Sequence, residues 1–178
     1  MLFIKRIFIS FIFLISAVNL IYAQETQTRL PELHSLIGKW NVTSENRLSA
    51  TGPWETNKAI AVIKISTGNA VVEEEYTGTL NRKSFFTKTL LSFNHFSSMF
   101  QRCFVDSEHG VLIDYQGEKK GDTILFDKLW TYPNGSTVKL RVVYAIISSD
   151  EFTILNMRMP DNNSAWDTTG RMHYVRIK

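Results

Sequence analysis

A few side chains in this sequence have types and neighbours that could bind or transform a small molecule. Glu74 and Tyr76 alternate with Val72, so these residues share one face of a predicted strand. A carboxyl group between a valine and a tyrosine could orient a polar ligand or transfer a proton. If this carboxyl is buried it needs a partner, and Arg141 is the candidate cation by residue type.

The placement of Arg141 stays open, because its own strand also supports an exterior position. Leu140, Val142 and Tyr144 form the apolar face of that strand, and Arg141 alternates with them. Charged residues mostly stay at the surface. The sequence therefore predicts either an interior pair with Glu74 or, as the ordinary case, an arginine outside the sheet.

Patterns for metals, cofactors and nucleophiles are weak. None of the 4 histidines belongs to a His-x-His or His-Glu-x-x-His pattern, which argues against a zinc site. His173 could bind a haem inside a barrel as a lone axial ligand, although an ordinary hydrogen-bonded histidine is the expected alternative. Without a Gly-x-Ser-x-Gly or phosphate-binding glycine pattern we assign no catalytic residue and no cofactor beyond that haem alternative, and we favour a non-enzyme.

Residues 1–23 have the pattern of an export signal. Lys5 and Arg6 precede an apolar run, and Ala23 supplies a small residue before the expected cleavage point at Gln24. The run of about 15 residues is shorter than the roughly 20 that a bilayer span needs. We therefore expect cleavage, export to the periplasm or the extracellular space, and no stable membrane span afterwards.

Removal of this leader changes the charge of the chain. The whole sequence has 20 Lys and Arg against 17 Asp and Glu, and the leader contains only basic charges, so the remainder has 18 against 17, a net charge of +1. A nearly neutral chain with dispersed charges lacks the basic surface that nucleic acids require. We therefore exclude DNA and RNA as partners; the oligomeric state stays open.

The remaining sequence indicates a single β domain over residues 33–178, after a flexible segment at 24–32. Residues 30–38 predict a turn or two of helix whose apolar stripe (Leu33, Leu36 and Ile37) covers one end of the domain. About ten short strands follow with compact turns and no crossover helix, which favours a closed up-and-down antiparallel barrel. The predicted strands are 40–44, 58–66, 70–79, 85–93, 99–105, 111–115, 123–130, 137–147, 152–159 and 166–177.

The longest early loop, 46–57, is the expected mouth of any cavity in this barrel. It contains Trp54, an aromatic residue outside the predicted strands that could cover a ligand or contact a partner. The other end is expected to be plugged by Trp40 on the first strand.

Several short motifs resemble those of calycin-type barrels and, more closely, those of DUF1579, a family of exported bacterial proteins of unknown function. The opening Gly38-Lys39-Trp40 is similar to the glycine-x-tryptophan that begins the first strand of calycins. The motifs that resemble DUF1579 are Glu74–Gly78, Ser92–Asn94, Phe104–Ser107, Arg141, Ser148–Asp150 and Tyr174–Arg176.

This resemblance implies a fold and an exported setting more than an activity. By similarity to calycins, Arg176 is expected to cover Trp40 in a cation–π contact, so that Gly38, Trp40 and Arg176 are structural residues. Nitrobindins, which are haem-binding barrels, also have a histidine on the final strand. The opening motif here lacks their further glycines, which weakens the expectation for His173.

Together these observations predict an exported barrel that binds a small hydrophobic or amphipathic molecule in its interior. The candidate ligand-binding residues are Glu74, Tyr76, Arg141 and Trp54. The alternatives are a filled barrel that acts as a structural or interaction module through the Trp54 loop, or a haem-binding or enzymatic barrel.

Overall fold

The described residues form one closed antiparallel barrel. A computed structural model describes residues 31–47, 49, 51–66, 70–80, 83–160 and 164–178. Each strand pairs with the next along the chain, and the last returns to pair with the first, which confirms the predicted fold class. The elements are α1 (Pro31–His34), β1 (Gly38–Asn46), β2 (Glu55–Ser66), β3 (Val71–Leu80), β4 (Lys83–Asn94), β5 (Met99–Asp106), β6 (Ile113–Lys120), β7 (Thr123–Thr131), β8 (Thr137–Ser148), β9 (Glu151–Pro160) and β10 (Asp167–Arg176).

Some predictions fall on parts of the chain that are not described. The predicted leader at 1–23, the segment 24–30 and the turns at 67–69, 81–82 and 161–163 lie outside the described residues. Within the described ranges, no helix combines the length and apolar character that a bilayer crossing demands.

The largest difference from the predicted strand bounds concerns β6. This strand was expected at 111–115, but it begins at Ile113 and continues to Lys120. Lys120 pairs with Thr123, which leaves only two residues for the turn, and Gly121 takes the positive φ of 61° that such a tight connection needs. Lys119 and Lys120, which lay between two predicted strands, are therefore strand residues at one end of the barrel.

α1 and the residues after it cover one end of the barrel, as predicted, although the described helix ends at His34 and is shorter than expected. Leu33 and Leu36 are fully buried in the core. The carbonyl oxygen of Leu36 accepts a hydrogen bond from Trp40 Nε1 at 2.8 Å, which fixes the indole under the helix. We call this end, with Leu33, Leu36, Trp40, Phe152 and Tyr174, the closed end.

The glycine before Trp40 is required by the closure of the barrel. Trp40 is paired with Arg176 across β1 and β10, and the Arg176 guanidinium lies 4.2 Å from the indole centroid, so the cation–π contact expected from the resemblance is present. Gly38 has a φ of 151°, and a Cβ at this position would be 2.1 Å from Arg176 Nη1. Only glycine leaves room for the arginine, whose Nη1 also donates to the carbonyl oxygen of Ile37 at 2.6 Å.

Aromatic side chains fill the closed end. Trp40 meets Phe152 edge-on at 4.8 Å between ring centroids, and Phe152 stacks on Tyr174 at 4.2 Å. Such pairs add to the free energy gained from burial. This packing leaves little space near α1, so the interior volume available to a ligand lies toward the other end.

Candidate functional site

A cavity of about 770 Å³ occupies the barrel interior away from α1. Its mouth is bordered by Ser49, Gly52 and Pro53 from the first long loop and by His109 from the β5–β6 connection. This confirms the prediction that the first long loop borders the mouth of a cavity. We call this side of the barrel the open end.

The cavity lining combines apolar and polar side chains. Phe85, Phe104, Ile154 and Met172 supply apolar surface from four different strands. Hydroxyl groups from β1, β3 and β4 also line the cavity, among them those of Ser44, Tyr76, Thr87 and Thr89. A small molecule with one apolar part and one polar part would find partners for both.

The inward face of β3 is the one predicted from alternation. Val72, Glu74 and Tyr76 are all buried inside the barrel. Tyr76 Oη donates a hydrogen bond to Ser44 Oγ at 3.2 Å near the mouth. Glu73 lies on the opposite, outer face of β3 but is also largely covered, because Lys64 and Lys88 contact its carboxylate from outside at 3.3 and 3.0 Å.

Glu74 is a carboxyl group held deep in the interior. Its side chain is almost wholly buried, with a residue exposure of 4%, and its Oε1 accepts a hydrogen bond from Tyr174 Oη at 2.7 Å. Burial raises its pKa, against the opposing effects of the Tyr174 hydrogen bond, the charge of Arg102 and a hydrogen bond from Thr89. The carboxyl group thus holds its proton to a higher pH than an exposed glutamate.

The cation that faces this interior is Arg102, which the sequence reasoning missed. Its exposure is 6%, and it lines the cavity from β5. Nε donates to Tyr144 Oη at 3.4 Å, and the guanidinium lies 4.8 Å from the Phe104 ring and 5.1 Å from the Tyr115 ring. Burial acts to lower its pKa, but Tyr144, Tyr115 and Glu74 together hold the pKa above its usual value, so the group is a permanent cation.

A signal for Arg102 was present in the alternation of its strand. Phe100, Arg102 and Phe104 share one face of the segment 99–105, and aromatic residues mark that face as the inner one. An arginine on an aromatic face is either a buried cation or a sign of a reversed register. The buried cation was not predicted because charged residues usually remain exposed to water.

Of the two positions left open for Arg141, the structure shows the exterior one, so the alternative of an interior partner for Glu74 was wrong. Its Nε and Nη2 donate to the two carboxylate oxygens of Asp127 at 2.7 and 2.8 Å, and its guanidinium lies 4.4 Å from the Trp166 ring centroid. The apolar face of β8, with Val142 and Tyr144, turns inward and leaves Arg141 outside. It therefore cannot pair with Glu74.

Trp54 belongs to the loop at the mouth but is not part of the cavity lining. Its ring lies between Arg47 and Arg171, whose guanidinium carbons are 4.7 and 4.5 Å from the ring centroid. The two cations hold the indole against the start of β10. A role for Trp54 in contacting a ligand or a partner stays a prediction.

His173 points away from the interior, so its position does not allow it to bind a haem inside the barrel. Its Nε2 lies 2.7 Å from Glu151 Oε1 on the outer surface, and its neighbours Met172 and Tyr174 take the inward positions of β10. In the part of the chain that the structure describes, no group of three or more His, Cys, Asp or Glu side chains is placed to hold a metal ion.

Comparison with known proteins gives a family and a fold. The model of DUF1579, described as a protein of unknown function, matches residues 26–176. No curated protein matches the chain.

Among solved structures, an S-type phycobiliprotein lyase, CPES from Guillardia theta, is similar at a TM-score of 0.55 and 12% identity, over 88% of this chain and 97% of the lyase. A protein titled EF1p2_mFAP2b bound to DFHBI has a TM-score of 0.46 and 14% identity, over 84% of this chain and 100% of its own. A redesigned β-barrel has a TM-score of 0.43 and 15% identity, over 82% and 94% of the two chains. Of these, the lyase supports the barrel fold and no more.

Proposed function

Because the chain belongs to the DUF1579 family, whose function is unknown, we propose from its own interior that it binds a small, partly apolar molecule inside the barrel. The observation that carries this proposal is the cavity of about 770 Å³ with a mouth at the open end. Pockets that hold small molecules have volumes of about 300 to 1,000 Å³. The cavity lies within that range.

The cavity favours a ligand-binding barrel over a barrel whose interior is filled by its own side chains. A barrel with a purely structural role has no need of interior space, and empty space forfeits packing energy at about 24 cal/mol per Å³. Unfilled volume is therefore costly unless water or a ligand occupies it. The hydroxyl groups of Ser44, Thr87 and Thr89 in the wall would hydrogen-bond either one.

The distribution of polar groups supports an oriented ligand. Two charged residues of the wall, Glu74 and Arg102, are buried deep in the barrel, while Phe85 and Met172 supply apolar surface to the same cavity. A ligand that enters from the mouth would place its polar part inward and its apolar part along these side chains. Fixed polar groups in a mostly apolar pocket are the usual source of such orientation.

We also propose that the protein binds its ligand outside the cytoplasm, after removal of residues 1–23. The support is the basic start, apolar run and small residue of the leader. Intact-mass analysis of protein recovered from the periplasm or the medium tests this, and a mass that starts at Gln24 is expected. Recovery of the full-length chain in the cytoplasm would contradict the proposal.

A substitution that fills the cavity tests directly whether the barrel binds a ligand in its interior. Thr87→Trp would place an indole in the cavity, whereas Thr77→Trp would place the same group on the outer surface of β3. We expect the neutral dye Nile red to gain fluorescence with the wild-type chain and with Thr77→Trp, and to lose most of that gain with Thr87→Trp. Circular dichroism and urea unfolding would show that both variants fold.

Native mass spectrometry of the purified protein supplies a second readout that needs no chosen dye. A bound mass that disappears on denaturation, and that is missing from Thr87→Trp, is expected. Equal dye binding by wild type and a folded Thr87→Trp variant, with no bound mass in either, would contradict the proposed function.

A further inference from the structure

The interior contains a cation that the protein itself does not neutralise by direct contact. Arg102 is more than nine-tenths buried and lines the cavity. Among the residues that the structure describes, no carboxylate oxygen lies within 4.0 Å of its guanidinium nitrogens. Its contacts are the Tyr144 hydroxyl at 3.4 Å, a hydrogen bond with the Tyr115 side chain, and the rings of Phe104 and Tyr115.

These contacts are weak compensation for a buried charge. A hydrogen bond of 3.4 Å is long, and ring faces attract a cation less than a carboxylate does. Burial of an ion without an opposite charge in contact is costly even after the surrounding structure relaxes. Arg102 would therefore gain from an anion delivered through the cavity.

The nearest interior acid does not supply that anion. Glu74 is engaged by the Tyr174 hydroxyl at 2.7 Å and by Thr89, and its interaction with Arg102 is through space rather than by contact. Its raised pKa favours the neutral form, which leaves the positive charge of Arg102 less compensated.

We propose that Arg102 binds the anionic group of the ligand, and that this ligand is an amphipathic molecule with a single carboxylate and an apolar tail. This inference rests on the proposed function, because it needs a ligand in the cavity. A planar guanidinium matches a carboxylate through paired N–H···O hydrogen bonds. Phe85, Ile154 and Met172, on the strands around it, would contact the tail.

A single negative charge follows from the charges around the site. Arg47 lines the mouth and is already paired with Asp167, and the other basic side chain on that side, His109, lies beside Asp106. Deeper in the described part of the cavity wall, Arg102 is the one basic side chain. A second negative charge on the ligand would be buried without a partner.

The first experiment compares decanoate with decanamide, which have the same tail and nearly the same shape but differ in charge. Isothermal titration of the purified chain should give a dissociation constant at least about tenfold lower for decanoate, the usual worth of a charge-assisted hydrogen bond. Arg102→Met should abolish this preference, whereas Arg141→Met, which removes a surface arginine, should retain it.

A second variant tests the same inference with Arg102 in place, in case Arg102→Met does not fold. Glu74→Gln removes the interior acid whose ionised form would compete with the ligand carboxylate for Arg102, so decanoate should bind at least as tightly as it does to the wild type. Weaker decanoate binding by the folded Glu74→Gln variant would mean that Glu74, and not Arg102, holds the polar group of the ligand, and would overturn the inference.

The outcomes separate this inference from the proposed function. If Nile red binds but wild type does not prefer decanoate to decanamide, the proposed binding of a ligand inside the barrel is retained and the proposed role of Arg102 is overturned. A preference for the doubly charged decyl phosphate over decanoate would overturn the single-carboxylate assignment. If neither Nile red nor any decyl compound binds, both proposals fail.

Discussion

The closed end and the open end of this barrel follow the same inward and outward alternation but contain different side chains. At the closed end, Trp40, Phe152 and Tyr174 are in direct ring contact and α1 covers them. At the open end the same strands present smaller groups such as Ser44 and Thr87, and a cavity remains. Alternation therefore decides which residues face inward, while side-chain size decides whether the interior is filled.

The two ends therefore differ in how much they contribute to the stability of the fold. Dry aromatic packing at the closed end stabilises the fold and needs no ligand. Polar groups at the open end are satisfied by each other, by water or by a ligand, so they contribute less to the free energy of unfolding. The comparison predicts that equal substitutions will have unequal effects at the two ends.

The largest expected difference is between the two tryptophans. Trp40→Ala removes a fully buried indole, its hydrogen bond to Leu36 and its contact with Arg176, and should cost about 3–5 kcal/mol. Trp54→Ala removes a partly exposed indole held by two arginines and should cost about 1 kcal/mol. Urea unfolding measures both, and equal losses would contradict the division between the ends.

The next largest effect concerns the glycine at the closed end. Gly38→Ala would force a Cβ against Arg176 at a φ of 151°, so we expect about 1–3 kcal/mol from backbone strain and a further loss of about 1–3 kcal/mol from the clash with Arg176. Gly121→Ala is a matched control, since it also has a positive φ but open space around the new Cβ, and it should cost about 1–2 kcal/mol. Thermal unfolding compares the two, and a Gly38→Ala variant as stable as Gly121→Ala would show that Arg176 can move aside.

How far the sequence could predict this division depends on the residue. The inward face of β3 was predictable because Val72, Glu74 and Tyr76 alternate within one strand. The contact of Arg176 with Trp40 was predictable from the resemblance to calycins. Which cation lies near Glu74 depends on the register of β3 and β5 against β4, which lies between them, and no pattern within a single strand encodes that register.

The cavity was less accessible to sequence reasoning than the fold. Its volume depends on how far side chains from strands distant in sequence, such as Phe85 and Ile154, extend toward each other. Arg141 was chosen as a partner for Glu74 by residue type alone, and residue type does not decide whether a side chain faces inward. The alternation in its own strand indicated the correct exterior position.

The adjacent glutamates Glu73 and Glu74 of β3 should affect the pH dependence of folding stability in opposite directions. Folding raises the pKa of Glu74 above its ordinary value of 4.5 because of burial, so its ionisation penalises the folded state as pH rises from 4.5 toward that raised pKa. Folding lowers the pKa of Glu73 because Lys88 and then Lys64 hydrogen-bond its carboxylate, so stability is lost as pH falls below 4.5.

Unfolding free energies measured across this pH range would separate the two residues. Relative to wild type, the free energy of unfolding of Glu74→Gln should increase as pH rises above 4.5. Glu73→Gln should be less stable than wild type above pH 4.5, and this difference should shrink as pH falls below 4.5. The two variants are matched in sequence position and differ in the face of the sheet. Parallel pH profiles for both would contradict the assignment of Glu74 to a buried interior position.

The smallest expected effect tests whether the open end contains water. Ser44→Ala removes the acceptor of the Tyr76 hydroxyl, which lies 3.2 Å from Ser44 Oγ at the cavity wall. If water in the cavity replaces the lost partner, the cost should be below about 1 kcal/mol. The double variant Ser44→Ala with Tyr76→Phe should then differ little from Tyr76→Phe alone in urea unfolding. A loss above about 2 kcal/mol for Ser44→Ala, recovered in the double variant, would mean that the Tyr76 hydroxyl is left unsatisfied in a dry site and that the two ends do not differ in hydration.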